Sequence, residues 1–107
     1  MAWQRAASRD ELLAAAPWLA CTVAGTEVVI AVLDGQPYGA EDRCTHAGCP
    51  FSSEADLIDG LISCNCHGSE FRLTTGEVVR GPAERPVRTF PVRLVGDDVE
   101  VEVGVEA

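Results

Sequence analysis

Apolar positions along this chain fall in short runs divided by turn signals, and only one early segment has helical spacing. Ser8, Arg9, Asp10 and Glu11 form a capping-box pattern, with Ser8 as the cap and Glu11 three residues on. A short helix to about Ala16 is predicted, stopped by Pro17. Beyond it the pattern is that of strands. Glu27 to Leu33 is apolar and β-branched, and Asp34-Gly35 is a hairpin signal leading into Gln36 to Ala40. Leu57-Ile58 and Leu61-Ile62 flank a second such signal, Asp59-Gly60. Phe71 to Thr74 and Glu77 to Val79 flank Thr75-Gly76, and Val87 to Val95 and Val99 to Val103 flank Gly96-Asp97-Asp98. Many short strands with regular turns predict an all-β sandwich or barrel. Cys21 precedes the first clear strand and is expected to be a buried apolar cysteine.

A length of 107 residues suits one domain, 1–107, with a modest core. Aromatic residues make up only 6%, so Val, Leu, Ile and Ala must supply most of the burial, with Trp3 and Trp18 as core or helix-packing residues. The formal net charge of −9 argues against non-specific binding to nucleic acid or to an anionic membrane. It favours a partner with a basic docking face, or serves solubility alone. Arg80, Arg85, Arg88 and Arg93 read as a solvated strand face that pairs with the acidic excess. No apolar run reaches the length of a membrane span, and Met1 to Asp10 lacks the charged-then-apolar layout of an export signal. A soluble cytoplasmic protein is expected.

The chemistry is concentrated in two short segments. The chain has two histidines and five cysteines. Cys44-Thr45-His46 opens one segment, which continues through Ala47 and Gly48 to Cys49; the other is Cys64-Asn65-Cys66-His67-Gly68-Ser69. Two thiolates and two imidazoles on two loops can hold iron with mixed sulfur and nitrogen ligation. They can also close a tetrahedral zinc site. Cys-x-His is an unusual opening pair for a zinc finger, and no helix carries a histidine pair, but a structural zinc module stays as an alternative.

Cys-x-His, an insert of this length and Cys-x-x-His-Gly together resemble the Rieske iron–sulfur family. The likeness extends to Phe71 through Gly76, to Gly81-Pro82-Ala83 and to Phe90-Pro91-Val92, segments similar to the soluble ferredoxins of bacterial ring-hydroxylating oxygenases. It spans about 3–103 and is tight between Cys44 and Pro82. The resemblance implies the Rieske fold, an antiparallel β base with a small cluster-binding subdomain inserted at about 43–83. It implies one [2Fe–2S] cluster per chain, with Cys44 and Cys64 on the inner iron and His46 and His67 on the outer. Replacing two anionic thiolates by neutral imidazoles raises the potential to roughly −150 to +300 mV, against about −400 mV for all-cysteine plant-type ferredoxins.

Further assignments follow from the resemblance alone. Cys49 and Cys66 match the loop-joining disulfide of the respiratory Rieske proteins, while a reducing cytoplasm leaves two free thiols as the alternative. Ser69 matches a serine of that subgroup whose hydroxyl bonds a bridging sulfide, whereas Phe71 stands where the subgroup has a potential-raising tyrosine. Gly48 and Gly68 adjoin the ligand loops, where backbone must approach sulfide closely. Gly81 and Pro82 match a third loop that covers the cluster, with Pro82 stiffening it.

The implied function is that of a monomeric one-electron carrier between a ferredoxin reductase and a terminal oxygenase, with no catalysis of its own. An oxygenase would need a large domain with a mononuclear iron held by two histidines and a carboxylate. Here both histidines are already used and the chain is short. The alternative is a small Rieske subunit of a larger oxidoreductase, such as a nitrite reductase or an arsenite oxidase.

Overall fold

The structure, a computed structural model, describes residues 3–103. The capping box forms as its residues dictate. Ser8 Oγ accepts from the Glu11 N–H at 3.1 Å, and the Glu11 carboxylate accepts from the Ser8 N–H at 2.9 Å. The helix α1 (Arg9–Ala14) buries Leu12 and ends when Ala15 turns extended, two residues before Pro17.

Three antiparallel sheets follow from the hairpins. One is ordered β2 (Leu19–Val23), β3 (Thr26–Leu33), β4 (Gln36–Glu41), β9 (Thr89–Phe90). A second is ordered β1 (Gln4–Ser8), β11 (Asp98–Val101), β10 (Val92–Val95). The third, β5 (Ala55–Ile58), β6 (Leu61–Cys64), β7 (Glu70–Arg72), β8 (Val78–Arg80), lies wholly within the stretch expected to carry the cluster. Asp34 and Gly35 have φ of 51° and 80°, and Asp59 and Gly60 have 52° and 80°. Positive φ at both central residues gives the two-residue turn that matches strand twist, so Leu33 pairs Gln36 and Ile58 pairs Leu61.

Successive residues of β3 point to opposite faces of their sheet, and both faces are buried. Val28 and Ile30 join Leu12, Val23, Phe90, Val99 and Val101 in the core of the base. Val29 and Ala31 join Phe51, Ile62, Phe71 and Leu73 in a second core, which also holds Trp18, Cys44 and Cys64. The cluster-binding stretch therefore packs its apolar side onto the back of β3 and β4.

Several sequence expectations are corrected. The run Val87 to Val95 is not one strand. Pro91 interrupts it, and β9 pairs with β4 while β10 pairs with β11. A proline cannot donate to a ladder, so the chain changes sheets there. Val99 to Val103 shortens to β11. Strands β1 and β2 and the short helix α2 (Phe51–Glu54) carried no clear signal. Cys21 lies within β2, opposite Val28, and is half-buried instead of fully enclosed; burial still pushes its thiol up. The four C-terminal arginines share no strand face. Arg80 and Arg93 lie on strands of different sheets, and Arg85 and Arg88 lie on the connection before β9. Arg93 pairs with Glu100 at 2.7 Å and stacks on Trp3, 4.2 Å from the ring centre, so Trp3 packs at the surface while Trp18 is buried.

Candidate metal centre

Two loops with the same hydrogen-bond pattern meet at one end of the molecule. In the first, the Cys44 N–H donates to the Cys49 carbonyl and the Gly48 N–H to the Cys44 carbonyl, both at 2.8 Å. In the second, the Cys64 N–H donates to the Ser69 carbonyl at 2.8 Å and the Gly68 N–H to the Cys64 carbonyl at 3.0 Å. Each loop closes over a glycine at the same position, with φ of 76° at Gly48 and 85° at Gly68. A side chain would strain that left-handed turn, which is why both loops carry glycine there. The matched sequence segments are thus matched loops.

The loops sort the candidate ligands by solvent exposure. Cys44 and Cys64 end strand-side and are buried at 2% and 1% exposure, while His46 and His67 project outward and are exposed. The two imidazoles meet edge to face, with centroids 4.7 Å apart and planes at 85°. Burial pushes the Cys64 thiol up; the backbone N–H of Cys66 pulls it down, nearby Cys44 raises it again, and the His67 N–H lowers it. Metal binding at such a sulfur requires that the thiol lose its proton, which passes to solvent as the thiolate becomes a ligand. Soft donors inside and neutral nitrogens outside fit an iron–sulfur cluster of mixed ligation.

Cys49 and Cys66 form a disulfide that joins the two loops, with their Cα atoms 6.8 Å apart. The Cys64 sulfur lies within 4.8 Å of both disulfide sulfurs. Bonded to each other, those two have no thiolate to give, so they brace the site without adding ligands.

A third loop closes the arrangement. Ser69 is fully buried, and its Oγ accepts from the Ala83 N–H at 3.0 Å, which leaves the hydroxyl hydrogen to donate elsewhere. Gly81 and Pro82, joined by a cis peptide, precede that contact. Two further supports were not foreseen. Thr45 Oγ donates to the Arg85 carbonyl at 2.7 Å. The Asp42 carboxylate accepts from Ser52 through both its N–H (2.8 Å) and Oγ (2.6 Å), which sets α2 beneath the first loop. All three bonds join residues at least ten apart in sequence, so no local pattern announces them.

Known proteins resemble this chain in sequence and in fold. The chain is 36% identical over 76 residues to the ferredoxin component of biphenyl 2,3-dioxygenase from Rhodococcus jostii (strain RHA1), covering 71% of this chain and 70% of that one. Its fold matches the ferredoxin of carbazole 1,9a-dioxygenase from Nocardioides aromaticivorans IC177 with a TM-score of 0.84 at 25% identity, over 94% of this chain and 97% of the other. The terminal oxygenase of that system contains a similar unit: TM-score 0.82, 30% identity, 98% of this chain but 31% of the oxygenase. A sequence model of the Rieske [2Fe-2S] domain matches residues 2–91, and the chain belongs to that family.

Proposed function

We propose that this chain is the ferredoxin of a ring-hydroxylating oxygenase system, taking one electron at a time from a ferredoxin reductase and passing it to a terminal oxygenase. The observation that carries this reading is the sorting of ligands on twin loops, Cys44 and Cys64 buried and His46 and His67 exposed and 4.7 Å apart. We assign those four residues as ligands of one [2Fe–2S] cluster, which when bound supplies a one-electron store. The buried Cys44 and Cys64 would hold the cluster on its protein side and shield it from water, and the exposed His46 and His67 would hold it on the solvent side, leaving little protein between it and a partner. Family membership favours the iron–sulfur cluster over the zinc alternative.

The similarity to ferredoxin components over most of their length supports a mobile carrier over a fixed subunit. Residues 1–107 read as one domain, because the second core joins β3 and β4 to β6 and β7. We also place the carrier in the cytoplasm, as a monomer. Cys44 and Cys64 are free thiols, the form that takes up iron, while the Cys49–Cys66 disulfide persists in a reducing compartment only if the two loops hold it closed. Among the described residues no helix is long and apolar enough to cross a membrane.

The test is stopped-flow transfer. The cluster-loaded protein, mixed with a ferredoxin reductase and reduced nicotinamide cofactor, is expected to gain one electron per chain and to lose it on mixing with a Rieske-type terminal oxygenase. A loaded protein that neither reductase nor oxygenase oxidises or reduces contradicts the carrier role.

A further inference from the structure

We propose that the groove beside His46 docks a carboxylate-bearing surface of an electron-transfer partner, so that the electron exit of this acidic protein is itself positive. The proposal rests on the reading of His46 as a cluster ligand. The groove, about 530 Å³ in volume, is lined by Glu41, Arg43, His46, Arg85, Pro86 and Arg88. Three of the chain's eight cationic side chains meet there, facing one carboxylate. Glu41 is engaged by Arg88 at 3.5 Å. Arg43 and Arg85 are exposed and have no ion-pair partner among the described residues. Elsewhere Arg5, Arg72 and Arg93 are each matched to a carboxylate, Asp98, Glu77 and Glu100, while Arg9 and Arg80, which do not line the groove, have no ion pair among the described residues.

The two unmatched charges of the groove sit against the first ligand loop. Arg43 directly precedes Cys44 and lies along Gly48, its Nε 3.6 Å from where a Cβ would stand. Arg85 is tied to the loop by the Thr45 Oγ bond to its carbonyl. The opposite side of the exit carries the other sign. The Asn65 N–H donates to the Glu54 carbonyl at 2.7 Å and its side chain to Asp56 at 3.3 Å, so two exposed acidic residues flank the His67 loop. At physiological salt fields fade within about 8 Å, so a docking partner senses these local charges more than the net −9. Carboxylates are therefore attracted over His46 and repelled elsewhere, which orients the partner as well as holding it. One electron crosses, and no atom moves. At the His46 side this reverses the expectation of a basic docking face drawn from net charge: the sign there is set by Arg43 and Arg85.

The test uses the cluster-loaded protein and two inorganic oxidants of opposite charge. The electron paramagnetic resonance signal of the reduced protein is recorded first; a chain that takes up no cluster fails at that step and overturns the carrier reading and this proposal together. Reoxidation by tris(oxalato)cobaltate(III), a trianion that accepts one electron to become cobalt(II), is then followed against ionic strength. The expected result is a rate that falls several-fold as salt rises, although protein and oxidant are both anionic overall. With hexaammineruthenium(III), a trication, the salt effect is expected to be weak or of opposite sign. Arg43→Gln/Arg85→Gln is expected to make the cobaltate rate rise with salt, and Arg43→Lys/Arg85→Lys to restore the fall. A cobaltate rate that rises with salt in the unaltered protein overturns the proposal while leaving the carrier reading intact, as does a glutamine variant that keeps the original slope.

Discussion

The Ala83 N–H donates to Ser69 Oγ across 3.0 Å, and that one bond fastens the third loop to the second ligand loop. Both residues are buried, at 5% and 0% exposure, so no water can replace either partner. Ser69→Ala leaves the Ala83 N–H unsatisfied and is expected to cost about 1–3 kcal/mol, read from urea unfolding of the loaded protein. The hydroxyl keeps a hydrogen of its own, and on the proposed cluster site it would donate to the bound cluster and favour the more negative reduced state. The same variant is therefore expected to lower the midpoint potential.

The Cys49–Cys66 bond closes a loop of sequence separation 17. On the chain-entropy account a loop of that size is worth about 3 kcal/mol. Cys49→Ser/Cys66→Ser is expected to unfold at lower denaturant and to bleach sooner on heating, with the loss followed by visible absorbance. The four assigned ligands remain, so the double variant is expected to take up iron at low temperature.

Gly76 has φ of 82°, and a side chain there would collide with the Val87 carbonyl oxygen. Its N–H donates to Arg72 at 2.6 Å and its carbonyl accepts from Val87 at 2.8 Å, so it cannot shift away. Gly76→Ala is expected to destabilise the fold by at least about 1–2 kcal/mol, the cost of the left-handed backbone alone. Chemical denaturation measures it.

The carboxyl of Glu11 is held below its ordinary range by the backbone and then the side-chain hydrogen bonds of Ser8. A depressed carboxyl stabilises the fold above its unfolded value, and that contribution disappears as pH falls through the folded value. The capping box is thus expected to weaken under acid, and Glu11→Gln to flatten this part of the pH–stability curve. Thermal unfolding between pH 6 and pH 3 compares the two.

Much of this was legible in the sequence, for physical reasons that differ by region. Asp34-Gly35 and Asp59-Gly60 announce their hairpins because both residues tolerate positive φ. Ala24-Gly25 makes the same turn, with φ of 49° and 82°, but alanine gives no such signal, and β2 was missed with it. Strand β1 reads Gln-Arg-Ala-Ala-Ser, without a β-branched residue, and is held by its partner β11 instead of by propensity. The paired segments around Cys44 and Cys64 stood out because histidine and cysteine are scarce in this chain. The arginine groove did not, since Arg43, Arg85 and Arg88 come together only when the connection before β9 crosses the first loop.

The most direct test of the account is nitrogen hyperfine spectroscopy on the reduced protein, grown with ¹⁵N-labelled histidine. The chain has only His46 and His67, so any labelled-nitrogen coupling reports on those two rings. The account predicts a rhombic electron paramagnetic resonance signal with couplings from two inequivalent labelled nitrogens, one lost in each of His46→Cys and His67→Cys. An iron-free protein, or a reduced cluster whose spectrum carries no coupling to labelled histidine, contradicts it.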